Sequence, residues 1–63
     1  MKYKKGDRVI IYDYYSLKYE IVTILHINNN YINFELNNDK YFKHFKQIIP
    51  CNELTIALYI NTP

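Results

Sequence analysis

The stretch Tyr31-Ile32-Asn33-Phe34-Glu35-Leu36 alternates strictly between apolar and polar or amphipathic side chains. Ile32, Phe34 and Leu36 fall on one side and Tyr31, Asn33 and Glu35 on the other, the period-two signature of a strand with one face buried. Asparagine runs bracket it: Asn28-Asn29-Asn30 before, and Asn37-Asn38-Asp39 after. Asn tolerates the left-handed backbone that tight hairpin turns require. The segment therefore predicts a strand between two hairpins.

Working outward, residues 19–27 (Tyr-Glu-Ile-Val-Thr-Ile-Leu-His-Ile) form a long β-branched run, hence one strand. Before it, Gly6-Asp7 is a turn signal and Val9-Ile10-Ile11-Tyr12 a first strand, with residues 13–18 as an aperiodic loop. Downstream, Tyr41, Lys43 and Phe45 alternate with Phe42 and His44 to give a fourth strand. A helix over 39–49 competes, because Phe42, Phe45 and Ile49 lie three and four apart; the preceding hairpin turn and the aromatic content favour the strand. Residues 48–54 read as a 3₁₀ turn around Pro50, and residues 55–60 as a last strand. The expected core is Val9, Ile11, Val22, Ile24, Ile32, Phe34, Leu36, Phe42, Ile49, Leu54 and Ile56.

Sixty-three residues make one domain, residues 1–63, of 49% hydrophobic and 17% aromatic composition. A chain of this size buries only about 60% of its unfolded surface, so each core position counts. Cys51 is the single cysteine, and it and the two histidines lack zinc-finger spacing. No apolar run reaches bilayer length, and the basic start leads into a short alternating segment, so no membrane and a cytoplasmic setting are expected. Lys, Asn, Ile and Tyr make up just over half of the chain. All four have AT-rich codons, so part of the tyrosine excess reflects genome composition.

Five strands, one longer early loop and a 3₁₀ turn before the last strand predict an all-β, five-stranded barrel, since closure removes exposed edges. Here the chain resembles the SH3-like barrels of the Tudor and KOW type that bacterial and phage proteins carry. Lys5-Gly6-Asp7-Arg8-Val9-Ile10-Ile11 resembles their opening, residues 19–24 their second strand, Tyr31–Leu36 their third, and Ile49-Pro50-Cys51-Asn52-Glu53-Leu54 their 3₁₀ segment. Glu20 stands where a KOW element has its glycine, which argues against that element's ribosomal-RNA role. The resemblance implies a binding module, the small size and AT-rich composition suit a phage or mobile-element product, and fold alone assigns no partner.

Three surfaces are candidates. Tyr12, Tyr14, Tyr15 and Tyr19 cluster around the early loop; in the SH3-like relatives such aromatics line a ligand groove, and tyrosine offers rigid contact area with a polar tip. The bland alternative is that they cover the barrel's end. Lys4, Lys5 and Arg8 (with Lys2) together with Lys40, Tyr41, Lys43, His44 and Lys46 compose a second surface, with cations for phosphates and rings for bases, or else ordinary solvated edges. The last segment is apolar on both faces, so Leu58, Tyr59 and Ile60 are candidates for pairing with a second copy as a homodimer.

Catalysis has no constellation: Glu20, Glu35 and Glu53 sit on separate elements, a lone glycine makes no phosphate loop, and Cys51 has no identifiable base. No metal or cofactor is expected. The reading is a non-catalytic module that binds a protein partner through its aromatic loop; the alternative is a nucleic-acid-binding barrel.

Overall fold

In the computed structural model, residues 3–62 are described. They comprise six strands: β1 (Arg8–Asp13), β2 (Lys18–Thr23), β3 (His26–Asn28), β4 (Tyr31–Leu36), β5 (Asp39–His44) and β6 (Ile49–Pro50). These form two antiparallel sheets of three strands, ordered β2-β1-β6 and β3-β4-β5. Ile32 and Phe34 of β4 are buried, as the alternation requires. The flanking turns are asparagine turns, with Asn29, Asn37 and Asn38 all at positive φ.

The expected long strand over 19–27 divides into β2 and β3, one in each sheet. Ile24 donates its N–H to the Asp7 carbonyl at 2.8 Å, and Leu25 donates to Asn33 at 2.8 Å. The chain thus leaves β1 and joins β4 within two residues, turning the corner between sheets. Gly6, at φ +94°, donates to the Ile24 carbonyl at 2.8 Å, so the opening turn is tied to that corner. Asp7 Oδ2 accepts the Lys4 N–H at 3.0 Å, which ties down the opening turn.

Val9, Ile11, Val22, Ile24, Ile32, Phe34 and Ile48 form the core between the sheets, with Tyr3, Ile27, Leu36, Tyr41 and Phe45 packed at its margins. Ile10 points the other way and is also fully buried. It stands opposite Ile21 and Ile49 on the outer side of the first sheet. A C-terminal helical segment, α1 (Glu53–Thr55) continuing as a π-helical run over Ile56–Ile60, packs on β2, with Tyr59 against Tyr19. β1 is therefore a strand with both faces covered.

Four expectations change. The five-stranded closed barrel gives way to two small sheets, because β6 is only two residues long and pairs with Val9 and Ile10 alone. The last segment is helical rather than a strand: Asn52 caps it by accepting the Thr55 N–H at 3.0 Å, and Thr55 Oγ1 accepts the Asn52 N–H at 2.9 Å. The 3₁₀ turn lies earlier, at Phe45–Gln47, where Gln47 Oε1 accepts the His44 N–H and His44 Nδ1 the Lys46 N–H. Phe42 and Leu54 are exposed rather than core, and Ile49 and Ile56 are half-buried. Among the described residues no helix is long and apolar enough to cross a membrane.

Candidate functional site

The loop between β1 and β2 is built around Asp13. Its Oδ1 accepts the Tyr15 N–H at 2.9 Å, its Oδ2 accepts the Ser16 hydroxyl at 2.8 Å, and its carbonyl accepts the Leu17 N–H at 2.8 Å. This Asx-type turn folds the chain back on itself and places Leu17 at φ 59°. The bonds from Tyr15 and then Ser16 favour the ionised carboxylate, with Lys43 adding a smaller attraction, so Asp13 is held below the usual carboxylate range although it is buried.

The turn projects Tyr14 and Tyr15 outward, 68% and 86% exposed. They overhang a groove of about 210 Å³ floored by Ile11, Phe34 and Leu36 and walled by Tyr41 and Lys43. Tyr15 lies 6.4 Å from Tyr41, ring centre to ring centre, and Tyr41 stacks on Phe34 at 6.0 Å. Burial is the main cause raising the Tyr41 hydroxyl above the ordinary phenol value, with Asp39, Tyr15 and Asp13 adding to it. It therefore stays a hydrogen-bond donor at the groove wall. The groove combines an apolar floor, flat rings, a phenol donor and an ammonium.

The four tyrosines singled out in the sequence divide between two jobs. Tyr12 and Tyr19 are cross-strand partners on the outer side of the first sheet, 5.0 Å apart. Tyr19 touches Tyr59 at 4.9 Å and Tyr12 touches Tyr14 at 4.9 Å, so a row of rings runs from the C-terminal helix to the loop. Tyr12, Tyr14 and Tyr15 line the groove and Tyr19 does not.

The basic set is also divided, by the pleat of β5. By the pleat Tyr41 and Lys43 fall on the groove side and Lys40, Phe42 and His44 on the outer side, with Phe42 also bordering the groove's rim. Lys4, Lys5 and Arg8 are exposed around the opening turn and Lys46 in the 3₁₀ turn; Lys2 lies outside the described residues. Tyr3 packs on Phe45 at 6.2 Å, which brings the N-terminal arm beside that turn. Leu58, Tyr59 and Ile60 sit on the helix, where strand pairing is not available to them.

Sequence reasoning missed two features. Tyr41 was grouped with the lysines although its parity places it beside Tyr15. Tyr31 makes edge-on contacts with Phe42 at 5.7 Å and His44 at 5.2 Å, an exposed aromatic cluster on the outer side of the second sheet. The cross-strand register Tyr31↔His44 carries that cluster, and only a known hairpin register reveals it.

No set of three or more His, Cys, Asp or Glu side chains among the described residues is grouped to hold a metal ion. Comparison with protein-family models, with curated proteins and with solved structures gives no match for this chain.

Proposed function

We propose that this chain is a non-catalytic binding module that grips an extended segment of a partner protein in the groove between the β1–β2 loop and β5. The observation that carries the reading is the pair Tyr14 and Tyr15, held far into solvent over an apolar floor by a loop anchored through three hydrogen bonds to Asp13. Exposed rings over a preformed groove give contact area at low entropic cost. The order of elements supports an SH3-like fold only in part. A second strand that divides between two sheets and a 3₁₀ turn before the short last strand agree with it. The longer early loop expected over 13–18 is instead a four-residue turn, 14–17, because Asp13 and Lys18 pair as the ends of β1 and β2. The unpaired Cys51 favours a cytoplasmic setting. The bias toward Lys, Asn, Ile and Tyr, whose codons are AT-rich, suits a phage or mobile-element product.

Capture from host lysate tests the reading. Immobilised protein is compared with Tyr15→Ala and Tyr41→Ala, each with and without nuclease. A protein retained after nuclease and lost with either variant supports the groove. Material lost to nuclease, with binding that weakens steeply with salt, supports instead the alternative of a nucleic-acid surface around Lys40, Phe42, His44 and Tyr31.

A further inference from the structure

β5 is a free edge. It pairs with β4 and with no other strand among the described residues, and its side chains are exposed or half-buried. Which of its backbone groups are free follows from its C-terminal end. In an antiparallel strand, alternate residues turn N–H and C=O toward the neighbour, and those between turn them away. Phe45 donates its N–H to Asn30, in line with β4, whereas His44 donates its N–H to Gln47 Oε1 at 3.2 Å. The even-numbered residues therefore face away from β4. Lys40 and Phe42 present unpaired N–H and C=O groups, and the His44 N–H is already taken.

We propose that two copies of this chain join through this edge, β5 running antiparallel to β5 about a two-fold axis at Tyr41. A two-fold axis normal to the sheet keeps inner side with inner side, so only registers pairing residues of equal parity are allowed. With Tyr41 on the axis, Lys40 stands opposite Phe42 of the second copy, and vice versa. Each of these two pairs exchanges both backbone hydrogen bonds, using the groups that are free. Tyr41 faces itself in the closer, non-hydrogen-bonded pair. Asp39 stands opposite Lys43 of the second copy on both sides of the axis, so the charges are complementary. Shifting the axis to Phe42 would set Lys40 against His44, whose N–H is spent, and would lose both ion pairs. This edge thus selects a second copy in one register. It differs from the pairing through Leu58, Tyr59 and Ile60 for which the sequence offers those residues as candidates, because they are helical.

Sedimentation equilibrium across a concentration series, with amide exchange on the same samples, tests the proposal. Expected is a reversible dimer in which the Lys40 and Phe42 amides gain protection as concentration rises. Asp39→Lys and Lys43→Asp should each weaken it about tenfold or more, and the double exchange Asp39→Lys/Lys43→Asp should restore it. Tyr15→Ala, which removes the groove's most exposed ring, should leave the dimer unchanged, so failure of the groove reading does not touch this one. A monomer mass up to about 1 mM, the weak end of specific association, would overturn the proposal. A dimer whose Lys40 and Phe42 amides stay unprotected, or one the double exchange fails to restore, would do the same.

Discussion

The ammonium of Lys43 lies 4.6 Å from the centre of the Tyr14 ring. The contact joins β5 of the second sheet to the loop between β1 and β2 of the first, across the mouth of the groove. Among the described residues no carboxylate comes within ion-pairing distance of that ammonium; the one such pair is Lys18 with Glu20 at 3.5 Å. Lys43 is therefore placed by a ring rather than by a counter-charge. A cation on an aromatic face at a partly exposed site contributes about 0.5–1 kcal/mol.

Lys43→Gln keeps much of the side-chain length and removes the charge. In dilute solution it should lower stability by about 0.5–1 kcal/mol, and it should speed amide exchange in the loop at Tyr14 more than at core positions such as Phe34. Equal exchange at Tyr14 in both proteins would show that the loop does not depend on this contact.

Asp13 sets a pH dependence with a definite sign. Its folded value is depressed, chiefly by the Tyr15 N–H and then the Ser16 hydroxyl. The stabilisation is therefore present above the unfolded carboxylate value, about 3.9, and is lost as pH falls through the lower folded value. An NMR titration following the Tyr15 amide should show a midpoint below about 3.9, with the loop loosening there while the sheets persist. Asp13→Asn should remove that transition. A midpoint at or above the ordinary value would contradict the hydrogen-bond assignment.

Phe34 is the largest fully buried side chain, and it supports both the core and the stacked Tyr41 wall of the groove. Phe34→Ala should cost about 3–5 kcal/mol, comparable to the whole stability of a chain this short at about 0.05–0.15 kcal/mol per residue. Thermal unfolding by circular dichroism reads it directly. A melting temperature close to that of the parent protein would place Phe34 outside the core.

What the sequence revealed and what it hid divide along one physical line. The alternation over Tyr31–Leu36 and the asparagine turns are local, and they located β4, its two hairpins and the buried pair Ile32 and Phe34. The corner at Ile24 and Leu25 is set by long-range partners, Asp7 and Asn33, which no local pattern records. Phe42 looked like core because it is aromatic, yet parity in β5 sends it outward. In the same way Tyr41 and Lys43 belong to the groove and not to an outer basic face. The C-terminal helix was hidden because β-branched Ile and Thr at 55, 56 and 60 speak for a strand, whereas its one local signal is the Asn52 and Thr55 reciprocal cap. Tertiary packing overrode propensity there.

That override leads to the last prediction. The outer side of β1 carries Ile10, which has no exposure although it lies outside the main core cluster. Uncovered, the row Ile10, Ile21 and Ile49 would leave an apolar stripe in water on a three-stranded sheet. Packing of the C-terminal helix on that side removes it, and the helix gains the tertiary contacts that a run of two turns needs, since its own hydrogen bonds could not hold it. Ile10→Ala should therefore cost about 2–5 kcal/mol and release the helix as well, seen as loss of helical circular dichroism and faster exchange of the Tyr59 and Ile60 amides. Leu54, on the same helix but 67% exposed, provides the contrast: Leu54→Ala should change stability by no more than about 0.5 kcal/mol. If the two substitutions cost the same, the segment either packs with its other side inward or is not a helix covering this sheet, and the two-faced burial of β1 would have to be abandoned.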